Sequence, residues 1–211
     1  MFLPAFGTPL ESLSQPRIHD RFGGTKAEQH LVMDDAWTPP RATGYAVEAW
    51  VLPEEVNAAA LVNLTSRADE PDQKHVMLLE LAGRGQVQVH EPCVVRYLDR
   101  WPPARAGGVK AYSRRMYVPY RWYHLVARRV PDRLEVYMNG ELVGTAPADA
   151  GADTAPCRLL VGRLKTGRQP DLFQARPFVG RVDELAVYDH PLSPADIRRH
   201  YDLGTADRLA P

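Results

Sequence analysis

Short apolar runs alternate with turn residues along the chain from Ala27 onward. Residues 45–52, Tyr-Ala-Val-Glu-Ala-Trp-Val-Leu, are rich in β-branched and aromatic side chains and stop at Pro53, which predicts a strand. Residues 58–66 and 75–81 read the same way. Over residues 86–90 the alternation is strict, so Val87 and Val89 are expected to face a core and Gln86, Gln88 and His90 to face outward. Residues 121–129 predict a further strand. It has Tyr123, Leu125 and Ala127 on one face and Trp122, His124, Val126 and Arg128 on the other. Residues 158–161 and 178–188 complete the set.

The sharpest local signal is a hairpin. Residues 134–138 and 141–145 flank Asn139-Gly140, and these two residues tolerate the positive φ angles of a type I′ turn. A two-residue loop sets Val136 opposite Val143 and Tyr137 opposite Leu142. One helix follows late in the chain. Ser193 is its N-cap, Pro194 its first residue, and Asp196 lies in its first turn. Ile197 and Tyr201 share one face, and Gly204 is placed to end it. The helix is expected across one end of the molecule. Many short strands with one late helix predict an all-β sandwich.

The totals narrow the picture. Lys plus Arg and Asp plus Glu number 26 each, so there is no net field to attract nucleic acid, and no fold motif for it is present. No apolar stretch is long enough for membrane insertion as a helix. The first residues lack the basic and apolar regions of a signal peptide. Cys93 and Cys157 allow one disulfide or two separate thiols. The longest irregular stretch, residues 93–121, carries Arg96, Arg100, Arg105, Lys110, Arg114, Arg115 and Arg121 against one acid, Asp99. It also holds Trp101, Tyr112, Tyr117 and Tyr120. Long loops in compact domains tend to be functional, and Arg beside aromatic rings suits an anionic ligand.

Four segments in order resemble the laminin-G-like, concanavalin-A-like jelly-roll family of bacterial surface and secreted proteins. They are residues 45–51, 122–127, 134–143 and 178–188, the last followed by Pro191-Leu192-Ser193 and the helix. The resemblance implies an antiparallel jelly-roll of two sheets over residues 21–204, between an arm (1–20) and a tail (205–211). It also implies an extracellular or cell-envelope setting. The fold hosts lectins, adhesion modules, hydrolases and passive spacers, so function must come from the site.

The expected role is a non-catalytic module that binds a carbohydrate, acidic glycans included, or a protein, within a larger surface or secreted polypeptide. A structural spacer is the alternative, and a glycoside hydrolase the second. Hydrolysis needs two converging carboxylates. Asp183 and Glu184 are adjacent on a strand and point to opposite faces, so they cannot pair. The candidate ligand-binding residues are Trp122, His124, Gln86, Gln88 and His90 on a groove face, with Arg100, Trp101, Arg114 and Arg115 in the long loop. The family resemblance also implies a structural calcium at Asp183, with carbonyl oxygen from Gly24, although Phe22-Gly23-Gly24 lacks the acidic residue that related domains carry there.

Overall fold

The computed structural model describes residues 20–22, 30–66, 75–82, 93–101, 107–148, 156–164 and 176–209. Their strands are β1 (Asp20–Phe22), β2 (Leu31–Trp37), β3 (Tyr45–Pro53), β4 (Ala59–Ser66), β5 (His75–Ala82) and β6 (Val94–Asp99). They continue with β7 (Val109–Met116), β8 (Tyr123–Val130), β9 (Arg133–Met138), β10 (Glu141–Pro147), β11 (Cys157–Val161) and β12 (Gly180–Tyr188). Helix α1 runs from Pro194 to Leu209. Two six-stranded sheets have the orders β1-β12-β3-β8-β9-β10 and β2-β11-β4-β5-β6-β7. Neighbouring strands are antiparallel in both, for example β3 with β8 and β5 with β6.

The core lies between the sheets and follows the two-residue period. Tyr45, Val47, Ala49 and Val51 of β3 meet Tyr123, Leu125 and Ala127 of β8 there. The second sheet contributes Leu61, Leu64, Met77, Leu79, Val95 and Tyr97. Cys157 and Cys93 pack on this core and are not bridged to each other, so two separate thiols is the outcome.

The 133–147 hairpin has the expected turn, with φ of 54° at Asn139 and 75° at Gly140. Tyr137 pairs with Leu142, but Val136 pairs with Gly144 because Val143 forms a bulge. The bulge sits where β10 closes onto β7. A Cβ on Gly144 would lie 2.1 Å from the Tyr112 carbonyl oxygen, so only glycine fits that approach. The predicted strand over 86–90 lies outside the described residues.

Residues 93–121 are not one irregular loop. They contain β6 and β7, which pair with each other. Of the cations there, Arg96, Lys110, Arg114 and Arg115 are strand residues, and Arg96 and Lys110 alternate with Val95, Tyr97 and Ala111 on the core face.

Helix α1 also differs from expectation. Ser193 caps it, its Oγ accepting the Asp196 amide at 3.1 Å. Gly204 does not end it; the helix continues to Leu209. It lies on the outer face of the first sheet rather than across one end. Ile197 is fully buried there with Ala46, Val126, Tyr137, Ala186, Tyr188 and Leu192. A Cβ on Gly204 would lie 2.7 Å from the Trp50 indole, so the glycine serves close packing in mid-helix.

Candidate functional site

Three groups of polar side chains are buried at different places on this frame. The first lies under α1. Glu48 on β3 and His124 on β8 face outward, and the helix covers both. His124 Nε2 hydrogen-bonds Glu48 Oε1 at 2.5 Å, Tyr188 donates to Oε2 at 2.6 Å, and His200 Nδ1 lies 3.1 Å from both oxygens. Burial by itself would raise the Glu48 carboxyl, but the hydrogen bonds from His124, His200 and Tyr188 outweigh it and hold the group at about 2. Trp50 stacks on Tyr201, with centroids 5.8 Å apart, and so seals the cluster.

The second group fills one end of the inter-sheet core. Asp99 takes Arg41 on Oδ1 and Arg129 on Oδ2, and Tyr45 and Tyr97 extend the network. Burial raises the Asp99 carboxyl, against the pull of the two guanidiniums. Asp99 therefore serves the two internal arginines and not the cations on the outer face of β6 and β7.

The third group is on the outer face of the second sheet. Ala60, Glu80, Arg96 and Tyr112 form one row across β4, β5, β6 and β7, and Leu78, Leu98 and Lys110 form the next. Glu80 is fully buried and pairs with Arg96 and with Arg176, the latter at 2.8 Å. Lys110 and Arg100 stand beside them. Burial lowers the Lys110 ammonium, and the charges of Arg96 and Arg100 lower it further. Arg100 is depressed by burial and then by Arg96. Two cations thus share the Glu80 carboxylate and two more stand beside Arg96, an arrangement that favours an anion arriving from solvent.

The predicted site residues are scattered by this geometry. His124 was expected to point outward, and it does leave the core, but α1 encloses it and it is fully buried. Trp122 precedes β8 and is half-buried. Arg100 and Trp101 are half-buried at the end of β6, with Trp101 packed on the core. Arg114 and Arg115 are exposed on β7, and Arg115 pairs with Glu141. Gln86, Gln88, His90 and Gly24 lie outside the described residues. Asp183 is half-buried on β12 and accepts the Glu184 amide at 2.9 Å. Among the described residues no group of three or more His, Cys, Asp and Glu side chains is placed to hold a metal ion. Sequence reasoning missed Glu80 and Arg176 altogether. The signal available was Val94-Val95 followed by alternation through Tyr97, which marks a strand and places Arg96 on its outer face.

The buried carboxylates among the described residues are each engaged separately. Glu48 binds histidines, Glu80 and Asp99 bind arginines, and Glu135 binds Arg128 and Arg133. Among the described residues no helix is long and apolar enough to cross a membrane.

Comparisons with known proteins agree with the architecture. Among solved structures, a heptameric SAP-like pentraxin from Limulus polyphemus is similar at 18% identity with a TM-score of 0.60, over 84% of this chain and 78% of that one. A Bacteroides ovatus protein whose description is that of a carbohydrate-binding protein is similar at 17% identity and a TM-score of 0.59. That match covers 85% of this chain and 45% of the other. A Trypanosoma rangeli sialidase mutant displaying trans-sialidase activity is similar at 15% identity and a TM-score of 0.53, over 79% of this chain and 25% of that one. At these identities the likeness is one of fold, which enzymes and binding proteins share. No curated protein sequence matches the chain. A laminin-G-type family model, described as the concanavalin A-like lectin/glucanases superfamily, matches residues 25–198. With that match over most of its length and two antiparallel sheets packed face to face, the chain belongs to the concanavalin A-like lectin/glucanase superfamily.

Proposed function

We propose that the chain is a non-catalytic module that binds an acidic carbohydrate on the outer face of β6 and β7. The observation that carries this reading is the gathering of Arg100 and Lys110 beside Arg96, which with Arg176 shares the buried carboxylate of Glu80. Like charges held together at a half-buried surface repel one another, and an anionic ligand relieves that repulsion through charge-assisted hydrogen bonds. The similarity to a protein described as carbohydrate-binding supports a sugar as the ligand class. The separate engagement of Glu48, Glu80, Asp99 and Glu135 supports a non-catalytic role, because hydrolysis needs two carboxylates free to act together.

A glycan array that includes uronate-rich and sulfated polysaccharides tests the reading. Binding is expected for acidic glycans only, weakening as salt rises, and lost in the double variant Arg100→Gln/Lys110→Gln. An array blank for acidic glycans overturns the proposal and leaves a spacer or protein-binding module.

A further inference from the structure

Seven large hydrophobic residues are exposed among the described ones, and three fall on one short segment: Met116 (56% exposed), Val118 (48%) and Tyr120 (73%). Tyr117 between them is buried in the core and Pro119 is half-buried, so this segment presents three apolar side chains to solvent. Single exposed apolar residues are ordinary, whereas a contiguous row on one segment points to a contact.

The row is held rigid. The Tyr117 amide donates to the Cys93 carbonyl at 2.8 Å, the Val118 amide to the Tyr123 hydroxyl at 2.9 Å, and the Tyr120 amide to the Pro53 carbonyl at 2.7 Å. Tyr120 has φ of 63° and follows Pro119 in a turn. A turn with proline ahead of a positive φ normally places glycine at that second position. A tyrosine there bears backbone strain that glycine would not, and its exposed ring makes no compensating burial. Strain retained for a solvent-facing ring suits a group kept for contact.

The surroundings specify the chemistry. Arg114 and Arg121 flank the row and are exposed, and among the described residues neither makes an ion pair. Met116 pairs with Val94 at the end of the same strand pair in which Tyr112, across a register shift, stands opposite Arg96, so the segment leaves from the edge of the cationic face of β6 and β7.

We infer that residues 114–121 form a second subsite of that face, where one sugar ring of an acidic glycan stacks on Tyr120 and its anionic group is taken by Arg121 or Arg114. This rests on the acidic-carbohydrate reading and adds to it a ring-stacking position. An apolar ring face on an aromatic plane with a flanking guanidinium satisfies both halves of an acidic sugar.

The test is Tyr120→Gly, measured by thermal melting and by calorimetric titration with heparin-derived and polygalacturonate hexasaccharides. The variant is expected to melt at or above the wild-type temperature, because the strain is gone, while its affinity falls roughly three- to ten-fold. Unchanged affinity in Tyr120→Gly, with binding still lost in Arg100→Gln/Lys110→Gln, overturns the second subsite and leaves the cationic face standing. A drop in melting temperature overturns it too, since the ring would then serve the fold. If the wild type binds neither oligosaccharide, the acidic-carbohydrate reading falls and this inference with it.

Discussion

Replacing Glu48 by Gln probes what fastens α1 to the sheet. The carboxylate holds hydrogen bonds from three elements: His124 on β8, Tyr188 on β12 and His200 on the helix itself. Its value of about 2, against an ordinary 4.5, means that the folded state favours the ionised form. Such a group contributes stability that is fully present above its unfolded-state value and is lost as pH falls through its folded-state value. At about 1.4 kcal/mol for each factor of ten in proton affinity, the contribution is about 3 kcal/mol at pH above 4.5 and roughly half of that at pH 3. His200 acts in the opposite sense. Its hydrogen bond to Glu48 raises it above the ordinary 6.5, so its share is present below that pH and is lost as pH rises through the raised value. Glu48→Gln removes both. The stability gap between wild type and variant is therefore widest between about pH 4.5 and 6.5, and narrows on either side. Urea unfolding at pH 3, 5.5 and 8, followed by tryptophan fluorescence, measures it, since Trp50 stacks on Tyr201 of the helix. A gap that stays the same from pH 5.5 to pH 3, or a variant as stable as wild type, refutes the reasoning.

Two further substitutions test the packing. Gly204→Ala gains about 1 kcal/mol of helix propensity, but its Cβ would lie 2.7 Å from the Trp50 indole, and relieving such overpacking costs about 1–3 kcal/mol. A lowered melting temperature is expected, and a rise would show that the helix does not sit so close. Asp99→Ala removes the carboxylate bonded to Arg41 and Arg129, which are buried to 1% and 0% exposure. Breaking such a buried ion pair costs about 3–5 kcal/mol, or roughly 6–20 °C in a domain of this size. A loss below about 3 °C by calorimetry would mean that the cluster is not the electrostatic unit described.

What the sequence determined by itself were the features that rest on short-range chemistry. The Asn139-Gly140 turn follows from the φ angles those residues tolerate, and the start of α1 from the capping chemistry of Ser193. The division of β8 into a Tyr123, Leu125 and Ala127 face and an opposite face follows from the two-residue period. The family was legible in the order of four such segments.

Tertiary structure decided the rest. Alternation places His124 and Glu48 off the inter-sheet core, but only the docking of α1, some 70 residues or more further along the chain, turns that outward face into a second buried layer. The end of the helix was misread for the same reason. Glycine is a stop signal by backbone entropy, yet Gly204 answers to the Trp50 ring on a distant strand. The charged residues of 93–121 resemble a solvated loop because counter-ions of Arg96, Asp99 and Arg115, namely Glu80, Arg41, Arg129 and Glu141, come from other segments. Whether an arginine is an internal partner or part of a ligand face depends on which strands lie beside it, and strand order is a long-range property that no local pattern encodes.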